Sequence, residues 1–321
     1  MASQPVPLPL ALEQELAAAG DPLPSAVTLG VFDGLHLGHR HLIERLQSAA
    51  RSAGLRTVIV TFYPHPLKIV SPTRTVLSVL PWEERLARLR ETGVDCVIPV
   101  TFTRQVASLP PDRFVDALLD HLEMRALIVG PDFAMGHGRA GNAAYLRRLG
   151  VQRGFSIEAI QPFVLPEGEA RSSVIRAALT EGAVERAACL LGRPFAVSSL
   201  VVHGDERGRL LGFPTANLAV PADLALPAAG VYACQASVGD HHFAAATNIG
   251  VRPTFGGTYQ TLETHLLGFT GNLYGQRLHL TFLHRLRGEQ RFGSLEELRS
   301  QIEQDVERTR ALVEQGSAVG V

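Results

Sequence analysis

The feature that most constrains the fold is an alternation of apolar strand-like runs with amphipathic helical stretches, from about Ser25 to Arg186. The runs are continuously apolar, which is typical of strands covered on both faces. Strand–helix repetition of this kind predicts an α/β domain with a parallel, doubly wound sheet that binds ligands at the carboxyl ends of its strands. The predicted strands are 26–32, 56–62, 95–100, 125–130 and 156–160, and the predicted helices are 41–54, 81–93 and 110–122.

The pattern changes after Gly192, where Gly, Pro and Thr separate short strand candidates. Closely spaced strands with turn signals predict a small antiparallel β-barrel, so the second half of the chain is expected to be mainly β. The predicted strands of this half are 195–204, 230–238, 242–250, 261–269 and 277–287.

The tail of the chain, 294–315, predicts a helix that closes the barrel, with Ser294 as its N-cap and acidic residues in its first turn. We place the boundary between the two domains in the segment from Gly182 to Arg193, which gives domains 1–186 and 187–321. The apolar stripe expected along the closing helix consists of Leu295, Leu298, Ile302, Val306 and Leu312.

Composition restricts the class of protein. The 30 basic and 31 acidic residues nearly cancel, which disfavours a nucleic-acid-binding protein. The amino terminus does not resemble a signal peptide, and no apolar run is long enough to cross a bilayer. Three widely spaced cysteines without a CxxC pair suit a reducing compartment. We therefore expect a cytoplasmic protein without nucleic-acid or membrane partners, either a monomer or a homo-oligomer.

The segment GVFDGLHLGHRHL (30–42) joins the first predicted strand to the first helix. Its glycines allow close backbone approach, and a helix N-terminus attracts anions. His36 and His39 are three residues apart, so two imidazoles on one helical face could donate hydrogen bonds to a phosphate and to its transition state. For an isolated HxxH, the alternatives are a histidine-rich helix cap or a metal site with His41 as third ligand. Lys68 is the single lysine, and no P-loop motif is present.

The strongest motif of the second half is GDERGRLLGFPTANL (204–218). Its glycines predict a flexible loop that wraps phosphate, although such a loop alone is more often a β-turn. Thr215 and Asn217 are two residues apart and therefore lie on one side of an extended segment. A hydroxyl and an amide oxygen in this arrangement suit Mg²⁺ beside the phosphates of ATP.

Several motifs together resemble a known family. HLGH resembles the HxGH signature of the nucleotidyltransferase superfamily, and GVFDGLHLGH is similar to the form found in bacterial bifunctional riboflavin kinase/FAD synthetases. HxGH alone would also fit enzymes that adenylylate nicotinate mononucleotide or pantetheine phosphate. The resemblance is specific because several motifs occur together, over about residues 25–315. The further matching segments, in family order, are 61–66, 102–115, 129–141, 171–176, 204–218, 248–257, 262–275 and 286–292.

The resemblance implies an enzyme that phosphorylates riboflavin to FMN in its carboxy-terminal domain and adenylylates FMN to FAD in its amino-terminal domain, with ATP as co-substrate and Mg²⁺ as cofactor. It implies Glu263 as general base and Thr215 and Asn217 as metal ligands, with His36, His39 and Arg176 in adenylyl transfer. The other residues implied in ATP and phosphate binding are Gly30, Phe32, Asp33, Gly38, Ser172, Ser173, Gly204, Gly208, Arg209, Gly212 and Pro214. Those implied in flavin binding are His65, Asp132, Phe133, Arg139, Asn248, Arg252 and Arg291.

This chain departs from the family pattern at four positions. Val31 replaces a usual Asn, which removes a polar side chain near the nucleotide, and Met135 replaces an aromatic residue. Gly268 and Asn272 stand where acidic residues are common. There are two rival interpretations. The chain could be a flavin-binding protein whose sites have decayed, or an enzyme that retains only the kinase activity. His65 could be a ligand contact or a turn residue, and His265 has no assigned role.

Overall fold

The structure, a computed structural model, describes residues 7–18, 20, 23–204, 208, 211–254 and 257–318; within strands and helices it does not describe the side chains of 252–259 and 316–318. Residue contacts divide the chain into two units, Met1–Ser172 and Ser173–Val321. The domain limits 1–186 and 187–321 remain a prediction. Among the described residues, no helix has the length and apolar character needed to cross a membrane.

The described part of the first unit is built around five parallel strands, as the alternating pattern predicted. In chain order its elements are α1 (Leu10–Ala17), β1 (Ser25–Gly30), α2 (Leu37–Ala53), β2 (Arg56–Tyr63), α3 (Pro66–Val70), α4 (Trp82–Arg90), β3 (Cys96–Thr101), α5 (Arg104–Ser108), α6 (Pro111–Leu122), β4 (Met124–Val129), β5 (Ala134–Met135), a 3₁₀ turn (His137–Arg139), β6 (Gly141–Asn142), α7 (Ala143–Arg153), β7 (Ser156–Ala159), β8 (Val164–Leu165) and β9 (Gly168–Glu169).

The sheet has the strand order β3-β2-β1-β4-β7, so the chain reverses direction across the sheet between β1 and β4. Both faces are covered: Val27 and Leu29 of β1 pack into one apolar cluster, and Ala26 packs into a second one. In doubly wound sheets, ligands bind where the strand order reverses, outside the carboxyl ends of the two flanking strands. The segments that follow β1 and β4 therefore frame the expected site.

The second unit carries a closed antiparallel barrel with strand order β10-β11-β14-β13-β12-β15, followed by a helix. This confirms the predicted fold class. The elements that follow β9 are α8 (Ser172–Glu181), α9 (Val184–Leu191), β10 (Phe195–Val202), β11 (Ala216–Leu218), β12 (Gly230–Val238), β13 (His241–Thr254), β14 (Gly257–Leu266), β15 (Arg277–Arg287) and α10 (Leu295–Ala318).

The closing helix α10 begins with a reciprocal cap. The Ser294 hydroxyl accepts the N–H of Glu297 at 3.1 Å, and the Glu297 carboxylate accepts the N–H of Gly293 at 2.8 Å. The predicted N-cap is therefore confirmed. The predicted stripe was wrong at Leu295, the first residue of the helix, which is 67% exposed. Leu298, Ile302 and Val306 line a cavity of the barrel.

Candidate active sites

The turn between β1 and α2 is tightly folded. Phe32 and Leu35 both have left-handed backbone angles, with φ of 54° and 39°, although neither is glycine. Asp33 is 2% exposed, and its Oδ1 accepts the N–H groups of Val79 at 2.8 Å and Leu80 at 3.2 Å. The Asp33 carboxylate is thus buried and ties the turn to the segment before α4.

The two histidines of HLGH lie together, but they do not both lie in the helix. The helix α2 begins at Leu37, earlier than predicted, because His36 is its N-cap. The His36 Nδ1 atom accepts the His39 N–H at 3.3 Å, and the two rings stack with centroids 3.6 Å apart. Since Nδ1 of His36 is an acceptor, neutral His36 carries its proton on Nε2. Any hydrogen bond that neutral His36 donates to a phosphate comes from that atom.

His39 is held as a neutral imidazole. Desolvation of the ring, followed by the charges of His36 and Arg85, lowers the pKa of His39 well below its usual value. Its Nδ1 atom is buried, and no described residue hydrogen-bonds to it. Its ring also packs 5.1 Å from the ring of Phe32, which is 1% exposed. A neutral imidazole can donate a hydrogen bond to an anion without a protonation step.

The start of α8 is docked on the same turn. The Ser172 hydroxyl donates to the Asp33 carbonyl at 2.8 Å, and a side chain at Gly38 would collide with the Ala170 carbonyl. Gly38 therefore makes room for the residues that precede α8. Along α8, Ser173 is exposed, and Arg176 lies four residues after Ser172, hence on the same helix face.

A cavity of about 530 Å³ opens beside this turn in the first unit. Leu29, Phe62 and Phe102 give it apolar walls, which suits a flat aromatic ring. Val31 and Met135, the two departures from the family pattern in this unit, line it as well. The predicted residues that the structure brings together here are Gly30, His65, Asp132, Phe133 and Arg139.

His65 lies in a turn that starts a helix, and its role as a ligand contact stays a prediction. Its Nδ1 accepts the Leu67 N–H at 3.1 Å, so it caps α3, and it also lines the cavity. Asp132 is held from two sides: its carbonyl accepts Nη2 of Arg139 at 2.9 Å, and its carboxylate forms an ion pair with Nη1 of Arg171 at 2.6 Å.

In the barrel, three predicted residues fall on one cross-strand row. Glu263 of β14 is the register partner of Asn217 on β11 and of Asn248 on β13. Directly opposed residues of antiparallel strands point to the same face of the sheet, about 5 Å apart. The carboxylate of Glu263 therefore lies between two amides.

Two cavities of the barrel share one wall residue, Thr215. One, of about 450 Å³, is lined by Glu263, Asn248 and Gly208 together with the apolar face of α10. The other, of about 530 Å³, is lined by Pro214 and by the segment from Phe269 to Tyr274, which contains the departure Asn272. Ligands placed in either cavity would border Thr215.

Glycine is required around PTAN for two different reasons, lack of space for a side chain and a positive φ. A side chain at Gly204 would overlap the Asn217 amide, and one at Gly208 would overlap the Phe213 carbonyl beside Thr215. Gly212 needs no space but has a φ of 88°. His265, unassigned from the sequence, contacts the Pro214 carbonyl through Nδ1 at 2.8 Å and so supports this loop.

Of the predicted barrel residues that the structure describes with their side chains, Gly204, Gly212, Asn217 and Arg291 line neither cavity. Two further predicted residues are not described in full. Arg209 lies outside the described residues, and Arg252 lies on β13 with a side chain outside them. Arg291 is exposed between β15 and α10, whereas its neighbours Gln290 and Phe292 line the cavity. Gly268 occupies a turn with a φ of 77°, which glycine adopts most easily.

Sequence reasoning missed the buried ion pair beside the barrel site. Nη2 of Arg287 lies 2.8 Å from Oδ2 of Asp305, with the two side chains only 16% and 8% exposed, and both residues line the cavity that contains Glu263. The partners are 18 residues apart on a strand and a helix, so no local spacing reveals them. The only sequence signal for this cavity was the apolar stripe of α10, which predicted that the helix packs against the barrel.

The donor set near Thr215 fits Mg²⁺ better than a transition metal. Thr215, Asn217 and Glu263 offer hydroxyl, amide and carboxylate oxygens, which are the ligands this ion prefers. Among the described residues, no group of three or more His, Cys, Asp or Glu side chains is arranged to hold a metal ion. His41 instead packs its ring 5.5 Å from that of Phe163.

Comparison with known proteins assigns both halves. Residues 19–174 match the model of an FAD synthetase family, and residues 191–313 match that of a riboflavin kinase family. A bifunctional riboflavin kinase/FMN adenylyltransferase of Escherichia coli is 41% identical over 87% of this chain and 90% of its own length. Enzymes of the same name from Pseudomonas fluorescens and Bacillus subtilis are 39% and 32% identical, over 89% and 88% of this chain and 92% and 90% of their own lengths.

A solved structure also matches the whole chain. It is described as a macrolide-efflux protein from Streptococcus pneumoniae, with a TM-score of 0.85, 30% identity, and coverage of 94% of this chain and 98% of its own. That description belongs to the neighbour, while the curated relatives share the two flavin activities in their names. With both family models in order and relatives aligned over most of their length, this chain belongs to the bifunctional riboflavin kinase/FMN adenylyltransferase family.

Proposed function

We propose that the two sites perform consecutive ATP-dependent reactions, in which the barrel converts riboflavin to FMN and the amino-terminal unit converts FMN to FAD. The observation that carries the proposal is a pair of barrel cavities that are both lined by Thr215, with Glu263 in one of them. A transfer between two bound substrates requires their reacting atoms to come within about 3–3.5 Å.

In the kinase site, riboflavin occupies the cavity lined by α10, and ATP occupies the cavity lined by the segment from Phe269 to Tyr274. Glu263 accepts the proton of the terminal ribityl hydroxyl as its oxygen attacks the γ-phosphorus. A new P–O bond forms, the bond from the γ-phosphorus to the bridging oxygen breaks, and ADP leaves. Gly204 and Gly208 are proposed to leave room for the phosphates, and Gly208 lines the cavity that contains Glu263.

Thr215 and Asn217 are the proposed holders of Mg²⁺ with ATP. When bound, the ion offsets the negative charge of the β- and γ-phosphates. Gly204 leaves the space that the Asn217 amide needs, and His265 positions the carbonyl that precedes Thr215. The chain's own contribution is thus to hold the two oxygen donors, two residues apart, beside Glu263, the register partner of Asn217.

In the adenylyltransferase site, the flavin ring of FMN occupies the cavity lined by Phe62, Phe102 and Met135. Its phosphate oxygen attacks the α-phosphorus of ATP, the bond to the bridging oxygen breaks, and pyrophosphate leaves. His36 and His39 donate hydrogen bonds to the developing charge, and Arg176 with Ser172, Ser173 and the amide groups at the start of α8 hold the triphosphate.

The proposed location and partners follow from the chain's chemistry. Near-zero net charge and three cysteines that form no disulfide, Cys96, Cys189 and Cys234, support a cytoplasmic enzyme whose partners are riboflavin, FMN and ATP. We propose no nucleic-acid or membrane partner, domain limits of 1–186 and 187–321, and either a monomer or a homo-oligomer.

The test is a time course of the purified chain with riboflavin, ATP and Mg²⁺, with the flavins separated chromatographically. FMN is expected first and FAD second. FMN that never becomes FAD would restrict the function to the kinase and implicate Val31, which lines the amino-terminal cavity. The absence of any phosphorylated flavin, from a folded sample, would contradict the proposal.

A further inference from the structure

Arg171 is a charged residue to which neither reaction has so far assigned a role. It immediately precedes α8, and its Nη1 lies 2.6 Å from Oδ2 of Asp132. Its Nε atom pairs with the Glu169 carboxylate, and its backbone N–H donates to the Glu169 carbonyl at 2.9 Å. The hydrogen bond with Glu169 and then the Asp132 charge raise the pKa of Arg171, so it is a fixed cation.

Its place is the border between the flavin cavity and the phosphate-binding turn. Asp132, its partner, lines the cavity, and Ser172, its neighbour, hydrogen-bonds to the Asp33 carbonyl of the turn. A flavin whose ring fills this cavity must extend its ribityl phosphate toward the turn in order to react. Arg171 is linked to both ends of that path, through its ion pair with Asp132 and through its neighbour Ser172.

The ion pair is suited to exchange. The side chains of Arg171 and Asp132 are 40% and 68% exposed, and exposed ion pairs of this kind contribute little to stability. A phosphate monoester carries about −1.5 to −2 charges near pH 7. It also matches the guanidinium fork with two oxygens, so it competes well with a single carboxylate.

We propose that Arg171 binds the phosphate monoester of FMN, leaving Asp132 to do so, and thereby selects the phosphorylated flavin over riboflavin. This inference rests on the proposed adenylyltransferase function. Adenylyl transfer joins this phosphate to AMP through a P–O–P anhydride bond, so the flavin-side phosphate keeps only a single charge. The product therefore holds Arg171 less strongly, and Arg171 returns to Asp132 as FAD leaves.

The first experiment is Arg171→Gln, with FMN supplied directly and FAD formation measured over a range of FMN and ATP concentrations. Loss of a charge-assisted hydrogen bond is expected to raise the KM for FMN about 10- to 100-fold. The expected kcat at saturating FMN and the KM for ATP stay within about twofold. Riboflavin, added as a competitor of FMN in a Glu263→Gln background so that the barrel does not phosphorylate it, should keep its inhibition constant, because it has no phosphate.

The matched control is Arg147→Gln, an exposed arginine of α7 in the same unit, which should leave every constant unchanged. Riboflavin phosphorylation by the barrel serves as an internal control in each variant. An unchanged KM for FMN, a rise confined to the KM for ATP, or an equal loss of riboflavin affinity would each overturn the proposal.

Asp132→Asn separates a phosphate ligand from a structural ion pair. Removing the competing carboxylate is expected to lower the KM for FMN several-fold, opposite in sign to Arg171→Gln. If both variants raised it alike, the pair would be structural and the proposal wrong. Should the wild-type chain make no FAD, the proposed function fails first; Arg171 is then tested by titrating flavin fluorescence, where Arg171→Gln must weaken FMN binding and not riboflavin binding.

Discussion

In the amino-terminal unit the functional side chains come from segments far apart in the sequence, whereas in the barrel they are register neighbours on paired strands. The turn after β1, the loop after β4 and the start of α8 together frame the first site. Glu263 is flanked directly by Asn217 and Asn248. A parallel sheet collects loops at one edge, while an antiparallel barrel places residues opposite one another. The first site therefore depends on loop anchoring and the second on strand register.

The largest expected effect is on the barrel reaction. Glu263→Gln keeps the side-chain shape but removes the base, and should reduce FMN formation about 10²- to 10⁴-fold. FAD formation from supplied FMN should be retained, which is measured chromatographically in parallel assays. Glu314→Gln, an exposed carboxylate of α10, is the matched control. Loss of both reactions in a folded Glu263→Gln sample would show that the sites are not separable.

The next effect is on the histidine pair. His36→Asn retains a side chain able to cap α2 but removes the imidazole, so it separates capping from chemistry. FAD formation should fall about 10²- to 10³-fold, in line with the loss of one donor to a transition-state charge. FMN formation should persist, and His41→Asn on the same helix serves as the control. Full FAD activity in His36→Asn would reduce His36 to a helix cap.

A third experiment examines how the barrel site is held. Asp305→Ala leaves Arg287 buried without its carboxylate, which costs about 3–5 kcal/mol in comparable pairs. The expected result is a lower midpoint of thermal inactivation for riboflavin phosphorylation. Glu303→Ala removes an exposed pair with Arg299 on the same helix. It should lower the free energy of unfolding by less than about 1 kcal/mol and therefore shift the midpoint much less. Equal effects would mean that the buried pair is not a structural support.

The smallest effect concerns acid stability of the first unit. Because the pKa of His39 is lowered on folding, the unfolded chain gains a proton below pH 6.5 that the folded chain does not. Stability is therefore fully present above pH 6.5 and falls as the pH drops, by at most about 1.4 kcal/mol per pH unit from this group. His39→Gln should show a shallower decline. Fluorescence of Trp82, the one tryptophan, reports on this unit, and equal slopes would contradict the assignment.

Local pattern predicted the strands of both units well, since continuous apolar runs and closely spaced turn residues are direct consequences of burial. It missed β11 as a strand because Ala216–Leu218 is too short to show a period. It also placed the start of α2 late, since HLGH is polar and the cap at His36 is a side-chain contact rather than a pattern.

The site residues were predicted mainly from a resemblance to a known family. The structure adds the tertiary contacts that hold these residues in place. Asp33 is buried against the segment of Val79 and Leu80, whose amides it binds. That segment lies more than 40 residues further along the chain. The Arg287–Asp305 pair depends on where α10 crosses the barrel. Contacts of this kind arise from tertiary packing, so no spacing in the sequence encodes them.

The shared wall at Thr215 has a consequence for ligand design. A single molecule with a flavin-like ring in one barrel cavity and a purine-like ring in the other would need a linker that passes Thr215, which lines both cavities. Its second half would bind at the high effective concentration that a short tether imposes, roughly millimolar. Such a bisubstrate inhibitor would gain avidity without needing either half to bind tightly.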